Sequence, residues 1–460
     1  MRTITFLLFL IISFHLHAQS VDAAALKLEV NGSYELFGTI PIGEKGLIFY
    51  TKKTDGPLHL EKYNTDLIRQ CDSNIVIPKG YYFKDFTQSF RFLHFIFSNK
   101  KGEFICYKIV LWDFKYQIIE GRFGKESEIK ELIATDKFVY IHSSEKDGDI
   151  IRQINLNTFA IAPLKIESKE IKNVQINYGN MVTANNHVIF YGTSGSLTNK
   201  SQSAFEFNEF GELAHVINFP CGEEIKLQNI AAASLGGGVL IFTGTYTCKE
   251  FPQGIFICKT IAGKPEYYKQ YAFGSLQSFI GEEINQENTA SGKCSKNIPE
   301  FNFKLKSYSV VKGGNQLIYT IDLNEAGNFM CFDEDNLIHT CTSPATLFIA
   351  FDNSGARQWD INLSRPSDIT GFNNATQIIH VRQVKNKIEI LRCGDQKAQM
   401  LEINNAGEII SGSEDKISDN CRHAASESAS YWYRNSFLFT GYSDTSVEGK
   451  LFYYITKLSL

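Results

Sequence analysis

The sequence predicts an all-β fold, a single β-propeller of four-stranded antiparallel blades, with eight blades favoured over seven. Three observations predict it. One hairpin signature recurs along the chain, helical apolar spacing is nearly absent, and the two ends hold complementary fragments of one unit. Phe and Tyr number 36 and 21, and aromatics favour strands and pack sheet faces.

The signature is clearest in FDNSGARQWDINL (351–363), where an apolar strand meets a polar turn ending in Gly and a second strand follows. FNEFGELAHVINF (207–219), INNAGEIISGS (403–413) and CKTIAGKPEYYKQYAF (258–273) repeat it. Looser copies stand at 62–73, 111–123 and 154–166. Most neighbours lie roughly 50 residues apart, within the range of propeller repeats. Each copy is preceded by another apolar run, and the chain holds eight of these: GLIFYTKK (46–53), FLHFIFSNKK (92–101), KFVYIHSSEK (137–146), HVIFYGTSG (187–195), VLIFTGTYT (239–247), QLIYTIDLN (316–324), KIEILRCGD (387–395) and SFLFTGYSD (436–444). A further strand usually lies upstream. The unit is therefore four strands, A to D in chain order, and one unit cannot bury both of its faces alone.

The chain opens MRTITFLLFLIISFHLHAQS, with Arg2, an apolar run too short to span a bilayer, and a small Ala18. That pattern predicts a secretory leader over 1–18 and an exported protein, periplasmic, outer-surface or extracellular. No later stretch approaches the ~20 apolar residues of a membrane helix. LKLEV (26–30) precedes the first unit without a partner, and KLFYYITKLSL ends the chain as a strand C with nothing after it. The first is expected to supply the missing strand D of the last blade.

Two insertions interrupt the sixth repeat, at about 276–302 between units and at about 325–345 between its strands B and C. In an antiparallel meander the B–C and D–A connections emerge on one face, because each strand reverses the last. Both insertions should project there, making that face the expected ligand site. Its candidates include Glu282 and Glu283 of GEEINQEN, and Asp333 and Asp335 of CFDEDN. The two Asp have the spacing of the first ligands of a calcium loop, but the Gly and terminal Glu of that loop are missing, so no metal is expected. Tyr431 and Trp432 in SASYWYRN are the remaining candidates, either to stack on a sugar or to pack where the first and last blades meet.

All ten Cys follow the leader, and no CxxC pair occurs, so neither a zinc ribbon nor a thioredoxin-like motif is visible. In an exported chain they are expected to pair. Topology suggests Cys221–Cys248, Cys393–Cys421, and one bridge among Cys294, Cys331 and Cys341. Buried free thiols are the alternative.

Lys plus Arg is 46 and Asp plus Glu is 50, a net charge of −4 without long blocks of one sign. This argues against a nucleic-acid partner and against charge-driven membrane attachment. No HExxH, nucleophile elbow or P-loop is present. The Gly run 236–238 joins two strands without a helix to follow, so it reads as a hairpin turn.

The stretch IAFDNSGARQW (349–359) resembles the repeat of pyrroloquinoline-quinone-type bacterial propellers, with Ala350, Asp352, Gly355 and Trp359 in the matching roles. Its turn is one residue shorter, and the units at Gly211 and Gly407 lack the Trp. The resemblance implies the fold and no quinone cofactor; no cofactor of any kind is expected. Trp359 then reads as a blade-packing aromatic. The leading functional expectation is a non-enzymatic platform for a protein or glycan. The alternatives are a secreted polysaccharide hydrolase or lyase and an envelope assembly subunit. Fold alone does not separate them, and oligomeric state is left open.

Overall fold

The computed structural model describes residues 24–459, apart from 31–33, 124–126, 147, 165, 167–174, 185, 196–199, 223, 249–250, 277–302, 314, 327–328, 333–337, 342–344, 365–377, 385–386, 394–396, 417–423, 435 and 444–450. Eight four-stranded antiparallel sheets form the ring of an eight-bladed β-propeller. Seven are continuous in the chain, spanning 34–75, 82–122, 128–163, 175–218, 225–272, 303–364 and 378–416. The eighth takes strands A to C from 424–459 and its strand D from Ala24–Val30. That N-terminal strand pairs antiparallel with Leu451–Ser459, setting Leu26 opposite Ile455 and Leu28 opposite Tyr453. Both the blade count and the closure agree with the sequence.

Strands A of neighbouring blades approach one another from the second blade round to the eighth, so A is innermost and D is the outer edge. Burial follows that order. Strand B has sheet on both faces and neighbours on both sides, so its residues read as continuous apolar runs. Leu47–Lys53 is buried in its first six residues, and Val239–Cys248 in its last nine. Outer strands such as Arg69–Ile75 alternate or face solvent. Period-two alternation sends successive residues of a strand B to different neighbours. Leu47 and Phe49 enter the core shared with blade 8, whereas Ile48 and Tyr50 enter the core shared with blade 2. Each fully buried Phe or Leu contributes about 1.5–3 kcal/mol.

The C–D turns give the repeat its signature. In blades 1, 4, 6 and 7, the side-chain oxygen of Asn64, Asn208, Asp352 or Asn404 accepts hydrogen bonds from the backbone N–H groups two and four residues on. The residue three positions after it has positive φ, and a register shift follows in the hairpin. This is a bulged hairpin turn, for which Gly is the undemanding choice. Gly211, Gly355 and Gly407 supply it in blades 4, 6 and 7, but Leu67 does so in blade 1. Blades 2 and 3 use a turn one residue longer, with Phe114 and Phe159 at positive φ. The looser repeats of the sequence are thus the units that place a bulky residue in left-handed backbone, at a cost of about 1–2 kcal/mol.

At Gly407 a second constraint applies. A Cβ there would lie 2.7 Å from Cγ of Trp359, whose ring is buried between blades 6 and 7. Trp359 is the blade-packing aromatic the sequence predicts. The Gly run also behaves as expected, turning strand A of blade 5 into strand B with three positive φ values at 236–238.

Candidate ligand-binding face

The ring has two faces. One carries the B–C and D–A connections and is called here the insertion face. The other carries the A–B and C–D turns and is called the turn face.

On the insertion face, the B–C connection of blade 6 holds an extra two-stranded hairpin, Phe329–Phe332 against Ile338–Cys341. It occupies the second predicted insertion. Asp333 and Asp335, between its two strands in sequence, lie outside the described residues; Glu282, Glu283 and Cys294 of the first insertion also lie outside them. Beneath this face the inner strands are irregular. Seven of the eight strands A carry a register shift near their start, at Tyr34/Leu36, Phe83/Asp85, Ile129/Glu131, Ile176/Met181, Gln228/Ala231, Leu305/Ser307 and Ser426/Ser428. Bulges bend a strand and re-aim a side chain. Here they ring the mouth of the central channel, where the residues skipped by the register in blades 2 and 3 are Lys84 and Lys130, the latter ion-paired with Glu128.

The cysteines require a correction. Cys248, at the insertion-face end of strand B in blade 5, is disulfide-bonded. Cys221 is a free thiol, so the expected Cys221–Cys248 bridge is not formed. Topology put both on one face, and both border the core between blades 4 and 5, yet they are not joined. There Cys221 lies within electrostatic reach of Cys258 and Tyr268, a directly opposed pair of strands C and D. Burial pushes the Cys221 thiol up to about 11 and that of Cys258 to about 12, so both are poor nucleophiles at neutral pH. Cys71 and Cys106 are also free thiols. In the blade 6 hairpin Cys331 stands opposite His339 and Cys341 opposite Phe329, so the two cysteines are not direct cross-strand partners. Cys393 ends strand B of blade 7, and Cys421 lies outside the described residues.

Tyr431 and Trp432 do not join the insertion face. They stand at the far end of strand A in blade 8, beside the turn face. Trp432 is 3% exposed, and its Nε1 donates to the carbonyl of Gly46 at 2.7 Å. Its ring belongs to the core that seals blade 8 to blade 1, so it offers no platform for a sugar. Tyr431 lies flat on His380 of blade 7, with centroids 3.4 Å apart and planes 2° from parallel. Burial, with Arg382 beside it, pushes the His380 imidazole down to about 4, so at neutral pH this is a contact between uncharged rings.

Other ionisable groups in the described region serve the blades themselves. Glu206 in strand C of blade 4 binds two imidazoles, His187 Nδ1 at 2.6 Å and His215 Nδ1 at 2.9 Å, which ties strands B, C and D together. His94 in strand B of blade 2 is fully buried, and neither ring nitrogen has a hydrogen-bond partner among the described residues. Burial, helped by Lys108, pushes its imidazole down to about 3. An unfolded His titrates near 6.5, so between these values unfolding takes up a proton. Stability should be complete above about pH 6.5 and fall as the pH drops towards about 3, by on the order of 5 kcal/mol in total. Replacing His94 by Leu should flatten this part of the stability curve, measured as urea midpoint against pH. An unchanged slope would show that other groups carry the acid sensitivity.

The turn face shows what sequence reasoning missed. Of thirteen exposed large hydrophobic residues among the described residues, Val76 and Tyr82 lie near the insertion face. Ile68, Phe90, Trp112, Phe159 and Phe210 sit in turns of the turn face, and Tyr116, Ile261, Val384 and Ile409 are strand ends beside those turns. A signal was present, since NTDLI, LWDFK and NEFG each place an apolar residue inside polar turn chemistry.

Among the described residues, no helix is long and apolar enough to cross a membrane. No protein-family model and no curated protein matches the chain. Solved structures resemble it in fold. The WD40 domain of SCAP from fission yeast is 9% identical, with 79% of this chain and 81% of that chain covered, at a TM-score of 0.36. Sqt1 of Saccharomyces cerevisiae is 10% identical, with coverages of 92% and 98% and a TM-score of 0.40. The β-propeller domain of the Trilobed protease from Pyrococcus furiosus is 10% identical, with coverages of 85% and 98% and a TM-score of 0.37.

Proposed function

We propose that this propeller is an exported, non-enzymatic platform that holds a protein or glycan ligand on its insertion face. The observation that carries the reading is the extra hairpin of blade 6, grafted onto a ring whose other described B–C connections need no such element. A long connection with its own strands on a rigid scaffold is where binding usually resides. The strand ends that flank 277–302, in blades 5 and 6, lie on the same face by strand order, and the disulfide-bonded Cys248 stands at this face in blade 5. The bulged strands beneath place the exposed Lys84 at the channel mouth. Export rests on the leader-like residues 1–18. The likeness of 349–359 to quinone-type repeats is read as one of blade architecture.

The test replaces residues 327–343 by a short Gly-Ser turn in the full-length mature chain. Glycan-array binding and capture of envelope proteins should be lost while the melting temperature stays within about 2 °C, since the hairpin strands form a sheet of their own outside the eight blades. Unchanged capture would move the site elsewhere. Turnover of a polysaccharide by the intact protein would replace this reading with the hydrolase or lyase alternative.

A further inference from the structure

We propose that the turn face of blades 1 to 5 is a docking surface for a lipid bilayer, entered by apolar side chains at the tips of its turns. Those side chains are Ile68 in blade 1, Phe90 and Trp112 in blade 2, Phe159 in blade 3, Phe210 in blade 4 and Ile261 in blade 5. Phe90 is 73% exposed and Trp112 52%, so water pays their full hydrophobic cost in the isolated ring.

Three features select a bilayer over a protein. The first is spacing. The anchors come one or two per blade and are separated by turn-forming Asn64, Asp113, Asn155 and Asn208, whose side chains accept backbone hydrogen bonds. A protein interface centres its anchors in one contiguous, desolvated patch. Isolated projecting tips suit a medium that moulds itself around each of them. The second is the composition of the tips. Trp and Phe with a flanking Lys are the residues that settle at the membrane–water boundary, where the ring sits low and the ammonium reaches back to water. Lys45 Nζ lies 4.3 Å from the Phe90 ring centroid, and Lys137 Nζ 4.6 Å from that of Phe210. The third is charge. Three acids on this face are ion-paired with bases, Asp113 with Lys115 at 3.0 Å, Glu209 with Lys137 at 3.1 Å and Glu44 with Arg434 at 2.9 Å, and Asp66, Asp136 and Glu212 are offset in number by Lys45, Arg91 and Lys264. A near-neutral face neither repels an anionic bilayer nor depends on one, so attachment is apolar and tolerant of salt. The turns are also closed by backbone hydrogen bonds, and the C–D turns of blades 1 to 5 each hold a positive-φ residue, so little ordering entropy opposes insertion.

The sequence supplies a reporter. Of three Trp, Trp359 and Trp432 are 6% and 3% exposed, which leaves Trp112 as the one that reports the turn face. The full mature chain is mixed with phosphatidylcholine vesicles, with and without added phosphatidylglycerol, at low and high salt. Flotation with both vesicle types, a blue shift of tryptophan emission, and quenching by brominated lipid are expected, and Trp112→Phe should abolish the shift and the quenching. Trp112→Glu with Phe210→Glu should weaken flotation by about a hundredfold, at roughly tenfold for each ~1.4 kcal/mol anchor lost, with circular dichroism unchanged. Absence of flotation, or flotation equal in the double variant, overturns the proposal. So does binding only to the anionic vesicles at low salt, which would reveal simple charge attraction. A blue shift that grows with protein concentration and without vesicles would show instead that a second copy covers this face.

Discussion

A chain lacking residues 24–30 is expected to lose several kcal/mol of stability and to associate through a bared edge. The strand is short, but it is the only source of strand D in the last blade. Leu26 and Leu28 pack against the core that joins blade 8 to blade 1, beside Tyr453 and Ile455. Their partial burial contributes roughly 2–4 kcal/mol. Without them Leu451–Ser459 becomes an unpaired edge, and exposed edges are templates for association. Urea unfolding and light scattering measure the two consequences. Intact stability in a monodisperse deletion variant would mean that the ring is held shut by its other contacts alone.

Trp432→Ala should cost about 3–5 kcal/mol, the range for emptying a buried aromatic site. Two losses combine. The indole fills the closure core between Leu47, Tyr63 and Leu438, and its Nε1 bonds the carbonyl of Gly46 across the seam. Gly46 is itself fixed, because a Cβ there would come within 1.9 Å of the Tyr63 carbonyl oxygen. Trp432→Phe should recover part of the packing but leave the carbonyl without its donor, giving an intermediate loss. Denaturation followed by circular dichroism avoids the removal of a fluorophore. A change below about 1 kcal/mol would place Trp432 outside the elements that hold the ring closed.

The blades were legible because strand B is buried on both faces. Eight apolar runs marked eight such strands, and some strands C, such as Ala345–Asp352, share the pattern. The turns were legible where Gly supplies the left-handed residue, and blurred where Leu67, Phe114 and Phe159 do so. In blade 6 the sequence marked only a long B–C connection, which holds the strands Phe329–Phe332 and Ile338–Cys341. The site residues were harder for two physical reasons. Alternation told which side of a strand Trp432 takes, but not whether a neighbouring blade covers that side, and blade 1 does. Connectivity put Cys221 and Cys248 at one face, but a shared face spans several strands and does not bring two sulfurs together. The exposed tips escaped notice because an isolated apolar residue in a turn carries no period for a pattern to detect.

The pairing of Leu26 with Ile455 sets a timetable for folding. Blades 1 to 7 form from strands close together in sequence, so each can assemble soon after its residues are available. The last blade must wait, because its outer strand comes from the start of the chain and its partner from the end. The entropic cost of that long loop is modest, since each doubling of loop length adds only about 0.6 kcal/mol. Its effect falls on time, because distant pairings slow folding far more than they weaken the product. Until the final strand emerges, residues 24–30 are a free β-strand without a partner. A chain threaded through a membrane would therefore complete its ring only after its C-terminus had crossed, and two chains crossing side by side could exchange first strands.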